Sequence, residues 1–322
     1  MIAVVHLVWG PLGADWPRRF LDSYRQHRAG MEHDLILLLN NVNDEARSAL
    51  SAELDGIEHR LLDLDEPVQD LTAYAEAVKR LDHDRICFLN SYSAILAPDW
   101  LAKLQHALAQ PGVGLVGATG SWASVRSSVL NSLFLPNPYR GALPKRSVTR
   151  DEMNAINAEI EQMRTSPDGA PVEAAASPRK LSTSVLSTLK SFGPMPEQLL
   201  RFPAFPACHM RTNGFMAERA ILAELQMHGI SRKMDAYALE SGRDSLTRQI
   251  QRRGLRTLVV ARDGTIYDQE QWPLSRTFWQ GEQEALLIAD NQTRIYANGS
   301  LDRRRVLAGF AWGAQADPRG PA

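Results

Sequence analysis

The chain has 322 residues, enough to bury a large core as one big domain or two small ones. Its formal net charge of −1 excludes whole-chain attraction to nucleic acid or to an acidic membrane. The two cysteines, Cys87 and Cys208, are too few for a disulfide framework and lack the spacing of a zinc site, which points to a reducing compartment.

The N-terminus enters an apolar run directly, with no basic leader region. No stretch approaches the roughly 18–20 apolar residues of a membrane span. A cytoplasmic protein is expected, with at most peripheral membrane contact. Residues 2–8 are apolar and β-branched and predict a buried first strand. Trp9-Gly10-Pro11-Leu12-Gly13 is a turn. Residues 16–28 carry Phe20, Leu21 and Tyr24 at helical spacing. A second strand over 34–39 ends at Asn40-Asn41-Val42-Asn43-Asp44. A helix over 44–54, a strand over 58–64 and a helix over 70–81 follow.

The stretch DRICFLNSYSAILAPDWL, residues 84–101, organises what lies around it. Residues 85–89 read as a buried strand, Asn90 to Ser93 as a polar tetrad at its carboxyl end. Pro98 and Asp99 suit the first turn of a helix running to 109. A strand over 113–118 closes the alternation, which predicts a mostly parallel, Rossmann-like sheet with helices on both faces. Ligands in such sheets sit outside the carboxyl ends of the strands, so the tetrad marks the expected site.

Alternation stops near Trp122. Residues 124–200 read as a variable insertion, with helices at 150–163 and 181–192 around a mobile loop at 165–180. The segment 202–225 reads as a small-residue strand and a helix, with a turn at Asn213-Gly214. His209 is a lone histidine and reads as structural rather than as a ligand or base. Glu240 and Asp244 stand ahead of a helix over 245–253 that ends at Gly254 and feeds a strand over 255–260. Each is also explicable locally, Asp244 as a helix cap and Glu240 as a solvated carboxylate. Residues 282–296 and 303–312 predict two further helices, and 314–322 a disordered tail. Arg303-Arg304-Arg305 reads as a solvated basic face, with anionic lipid as its one partner of note.

These features in this order resemble A-type glycosyltransferases of the family-two kind, similar to bacterial polysaccharide and rhamnan-type enzymes. The resemblance rests on Trp9-Gly10, on Asn40 to Asp44, on Asp70-Leu71-Thr72-Ala73-Tyr74, on the tetrad with its Pro-Asp-Trp-Leu helix start, and on the Glu240–Asp244 region. It implies a single glycosyltransferase domain over 1–313. Residues 1–123 would be the nucleotide-sugar half, 124–200 an acceptor-side insertion, and 201–313 the acceptor half. It implies a nucleotide-diphosphate-sugar donor, a glycan or glycolipid acceptor, and no nucleic acid. Donor-binding residues would be Trp9, Gly10, Asn40, Asp70, Asn90, Ser91, Tyr92 and Arg276. Asp70 reads equally as a helix cap, and Arg276 equally as a surface residue. In an inverting mechanism Asp244 or Glu240 would be the general base. Tyr92 stands where the family's D-x-D element ends in its metal-binding aspartate. The resemblance thus leaves a divalent magnesium or manganese ion open without predicting one. Two rivals stand beside this reading. One is a catalytically inactive nucleotide- or glycan-binding protein of the same fold. The other is a nucleotidyltransferase, which the missing lysine after the first strand disfavours.

Overall fold

The computed structural model describes residues 1–132, 195–227, 230 and 232–317. The helices expected at 150–163 and 181–192, the loop at 165–180 and the last residues of the expected tail lie outside them. The first half alternates as the hydrophobic pattern predicts. Its elements are β1 (Ile2–Trp9), α1 (Asp15–Gln26), β2 (Asp34–Asn40), α2 (Asp44–Glu53), β3 (Arg60–Asp63), α3 (Asp70–Arg80) and β4 (Arg85–Leu89). They continue through β5 (Ala94–Ile95), α4 (Trp100–Leu108), β6 (Val113–Gly117), β7 (Gly120–Ser121) and α5 (Val125–Ser132). The second half has α6 (Met195–Arg201), β8 (His209–Met210), β9 (Gly214–Glu218), α7 (Arg219–Glu224), α8 (Lys233–Ser241) and α9 (Leu246–Arg252). It closes with β10 (Arg256–Val260), β11 (Ile266–Tyr267), β12 (Ile288–Ala289), α10 (Asn291–Ala297) and α11 (Leu301–Trp312).

Eight strands form one sheet in the order β11-β10-β6-β9-β4-β1-β2-β3. The pairs β3-β2, β2-β1, β1-β4 and β6-β10 are parallel. β9 runs antiparallel between β4 and β6, which leaves those two parallel to one another. This is the mostly parallel, helix-flanked Rossmann-like sheet expected for the A-type glycosyltransferase fold. The carboxyl ends of β1, β2, β4 and β6 therefore line one edge, and β9 starts there.

Side chains of a strand alternate between faces. Val5 and Leu7 of β1 pack with Phe88, Leu71 and Tyr74 on the α3 side. Val4 and Val8 pack with Phe20, Leu21, Trp100 and Leu104 under α1 and α4. Local caps set several helix starts. Asn43 accepts from Ala46 N at 2.8 Å, and Asp290 accepts from Thr293 N at 2.8 Å.

Four departures have local causes. Asp99 does not lie inside a helix; it precedes α4 in the left-handed region (φ 58°) and pairs with Arg28. The single helix expected over 282–296 is confined to Asn291–Ala297. Positive φ at Gly281 (54°) and Gln283 (54°) breaks the preceding turn, and β12 pairs with β5 instead. Of the expected tail, Gly313–Gln315 forms a 3-10 turn and Asp317 pairs with Arg276. The basic run 303–305 is not a free face. Arg303 is buried, Arg304 pairs with Glu282 and donates to two carbonyls, and Arg305 pairs with Asp302. No helix among the described residues is long and apolar enough to cross a membrane.

The turn after β1 crosses the turn after β2 at Gly10. A Cβ there would meet the Asn41 carbonyl oxygen at 1.9 Å. Gly10→Ala should therefore lower stability by about 1–3 kcal/mol, the usual cost of overpacking. Urea denaturation of the variant checks this; an unchanged midpoint would show that the two turns can separate freely.

Candidate functional site

The carboxyl edge is held together by amide side chains. Asn40, buried at the end of β2, brackets Val68: its Nδ2 donates to Val68 O at 2.8 Å and its Oδ1 accepts from Val68 N at 3.1 Å. This ties the segment before α3 to the sheet and so places Asp70, the first residue of α3. Asn40 thus spends its amide on the scaffold. Trp9 and Gly10, half-buried, end β1 on the same edge.

Asn213 performs the same service at the centre. Its carbonyl oxygen accepts from Asn90 N at 3.2 Å and Ser93 Oγ at 2.7 Å. Its Oδ1 accepts from Thr119 Oγ1 at 2.6 Å, and its Nδ2 donates to Ile288 O at 3.3 Å. Four segments, its own included, meet at this one buried residue, the tetrad through its backbone carbonyl and the other two through its side-chain amide. The tetrad is closed upon itself: Asn90 Oδ1 accepts from Tyr92 N at 3.0 Å and Ser93 Oγ at 3.1 Å. Ser91 is buried, while Asn90 and Tyr92 remain half-buried at the edge.

On the α3 side of the tetrad lies an acidic recess. Glu240, near the end of α8, accepts through Oε1 from Thr212 N at 3.1 Å and from Thr212 Oγ1 at 3.3 Å. No partner among the described residues takes its other carboxylate oxygen. Asp70 is within reach of its charge. Solvent touches Asp70, yet protein crowds it; burial first, and then Glu240, push its carboxyl above the usual range. His209 is buried beside them and donates through Nδ1 to Ala207 O at 2.7 Å. Burial holds its pKa down against the opposing pull of Glu240, so the ring is neutral at pH 7.

On the α1 side the edge is basic. Arg294 of α10 donates through Nη1 to Tyr92 O at 3.0 Å, with its guanidinium carbon 5.1 Å from the centre of the Trp16 ring. Arg19 lies 5.6 Å from the same ring, and Tyr92 meets Trp16 edge-on at 4.9 Å. Arg211 pairs with the buried Asp290 at 3.0 Å and lies 4.1 Å over Phe278.

Two sequence candidates sit elsewhere. Asp244 has a side chain 76% exposed and pairs with Arg252 at 2.8 Å. It lines a cavity of about 360 Å³ with Leu200, Arg201, Leu239 and Gln249, not the tetrad's edge. Arg276 is held by Glu284 and Asp317, each at 2.9 Å. The structure thus brings Asp70, Glu240 and the Asn90–Tyr92 turn to one edge with Trp9 and Gly10. Sequence reasoning passed over Thr212, Arg211, Asp290 and Arg294, and read Asn213 only as part of a turn. One signal was available: Asp290 stands three residues before Thr293, a helix-start pattern that breaks the expected long helix and leaves Arg294 in a short one. Among the described residues no group of three His, Cys, Asp or Glu is placed to hold a metal ion.

No family model matches the chain, and no curated protein matches it. Solved structures do. One is glucosyl-3-phosphoglycerate synthase from Mycobacterium tuberculosis with Mn2+, uridine diphosphate and glucosyl-3-phosphoglycerate. It is 14% identical, covers 69% of this chain and 57% of its own, and has a TM-score of 0.33. The mannosyltransferase PcManGT from Pyrobaculum calidifontis, with GDP-Man and Mn2+, is 14% identical over 62% of this chain and 72% of its own (TM-score 0.32). The bifunctional glycosyltransferase WbbM is 12% identical over 79% of this chain and 37% of its own (TM-score 0.36). The chain spans less than two thirds of the length of the synthase and of WbbM.

Proposed function

We propose that the chain is a glycosyltransferase that moves a sugar from a nucleotide-diphosphate-sugar to a hydroxyl of a glycan or glycolipid acceptor. One observation carries this reading. Glu240 is fixed by Thr212 near the carboxyl edge of the sheet, with no partner among the described residues for its second carboxylate oxygen. In this reading the donor lies along the turns at Trp9-Gly10 and Asn90 to Tyr92. The second oxygen of Glu240 takes the proton of the acceptor hydroxyl as the acceptor's own oxygen bonds to the anomeric carbon. The bond from that carbon to the diphosphate breaks, and the diphosphate leaves as an anion. In this reading Asp70, near enough to feel the charge of Glu240, orients the donor's sugar. Asp244, exposed and paired with Arg252, is the weaker candidate for the base. The described part of the chain offers no span, so contact with a membrane-borne acceptor would be peripheral.

A second reading is favoured by the tetrad itself, which carries no carboxylate: a binding protein of the same fold without catalysis. A panel of nucleotide-sugars separates the two. The transferase should raise the melting temperature with its donor, by mass action, and should release nucleoside diphosphate slowly by hydrolysis. Stabilisation without any release supports the binding protein, and neither effect with any donor defeats both.

A further inference from the structure

His209 opens β8, which pairs antiparallel with β7 just beyond the carboxyl end of β6, Ser121 standing opposite His209. α8 packs against β8, and Thr212, three residues further on, holds Glu240. The ring of His209 and the carboxylate of Glu240 thus come to one recess, where the charge of Glu240 acts on the ring. A carbonyl oxygen only accepts, so the 2.7 Å bond to Ala207 O places the ring's proton on Nδ1. Burial keeps the ring neutral, and Nε2 therefore carries a lone pair at pH 7. No partner among the described residues takes that lone pair, although the residue is only 6% exposed. An acceptor left unpaired inside a protein is costly, so such an atom calls for a donor.

We infer that His209 is a specificity-determining residue: its Nε2 accepts a hydrogen bond from a hydroxyl of the acceptor that neighbours the hydroxyl deprotonated by Glu240. The substrate class that follows is an acceptor with two adjacent hydroxyls, as on a sugar ring, rather than an isolated alcohol. The inference rests on the transferase reading for its ligand, and on residues 207–212 for its geometry. Both open atoms, Nε2 and the second oxygen of Glu240, are acceptors, and a single hydroxyl would satisfy only one of them. A metal ion would need a third His, Cys, Asp or Glu placed with these two, and none among the described residues is. The charges that act on the ring are Glu240 from α8, Arg211 on its own segment and Arg248 from α9. Arg211 is committed to Asp290, and neither guanidinium bonds to the ring. The place is therefore left to a ligand that brings O–H donors.

The test uses the full chain, the nucleotide-sugar that it hydrolyses, and a panel of common methyl hexopyranosides with their monodeoxy counterparts. One hexoside should accept the sugar. A monodeoxy counterpart that keeps the reacting hydroxyl but lacks its neighbour should have a KM raised about five- to fiftyfold, the range for one hydrogen bond lost at a buried acceptor. His209→Phe should raise KM for the parent hexoside by a similar factor. The same variant should change KM for that deoxy hexoside by less than about twofold, because the bond it removes is already missing there. His209→Gln, whose carboxamide oxygen can accept in place of Nε2, should recover part of the loss. A merely structural His209 would raise both KM values together, and that result overturns the inference. So does a panel in which every reactive monodeoxy counterpart matches its parent, a comparison that needs no variant to fold. Donor hydrolysis with no transfer to any hexoside overturns it too and leaves donor chemistry standing. Neither hydrolysis nor transfer with any donor would defeat the transferase reading, and this inference with it.

Discussion

Glu240→Gln is expected to cut sugar transfer by roughly two to four orders of magnitude, the range for losing general-base assistance. Donor affinity should stay within about twofold of the parent. The two effects separate because Thr212 holds the side chain through Oε1, a bond that an amide oxygen can also accept. The glutamine therefore keeps its place and loses only its ability to take a proton. Asp244→Asn is the internal comparison: with an exposed carboxylate on Arg252, it should lose far less. Single-turnover rates and donor titrations on both variants decide the matter. A fully active Glu240→Gln enzyme would remove Glu240 as the base. A hundredfold loss in Asp244→Asn with none in Glu240→Gln would hand the role to Asp244.

The second large effect is on stability and comes from a residue outside the site. His6 lies at the centre of β1, fully buried, stacked on Phe20 at 3.8 Å with an interplanar angle of 10°. Neither ring nitrogen has a hydrogen-bond partner among the described residues. Burial lowers its pKa from 6.5 to about 3, so the folded chain keeps the ring neutral while the unfolded chain protonates it below pH 6.5. The unfolded state then binds the extra proton, and stability falls as pH drops from 6.5 towards 3. One histidine of this kind removes ~2 kcal/mol between pH 6.5 and 4.5, with a slope that nears 1.4 kcal/mol per pH unit at about pH 5 and falls again towards pH 3. His209, also lowered by burial, adds to the same trend. Carboxylates with depressed pKa values, such as Asp263 and Glu197, lose their contribution only at more acid pH. Replacing His6 with phenylalanine should flatten the His6 share of the slope. Urea unfolding of parent and His6→Phe between pH 7 and 4.5 tests this. Parallel curves for the two proteins would mean that the ring is protonated in the folded chain.

The acidic recess was half legible. Glu240 stood out because it precedes a helix at the place where the resemblance to A-type glycosyltransferases implies an acidic pair. Asp244 stood out for the same reason, and nothing local separates them. Their difference lies in what the chain folds against each: Thr212 against Glu240, solvent and Arg252 against Asp244. Arg276 carried the right chemistry for a diphosphate, but Glu284 and Asp317 take its guanidinium. Arg294 also carries a guanidinium, inside what read as a single helix over 282–296, and drew no notice.

What the amino-acid sequence determined by itself is the alternation of strands and helices in the first half, and hence the carboxyl edge of the sheet. Apolar β-branched runs and helical spacing are local properties, and burial on two faces follows from them without knowledge of any distant residue. What only the tertiary structure decided is which charges share that edge. β9 enters antiparallel between β4 and β6 and brings Asn213 against Asn90, Ser93 and Thr119. Arg294 reaches the Tyr92 carbonyl across 202 residues of chain. Such pairings are fixed by how separate elements pack, and no periodicity within either element encodes its partner.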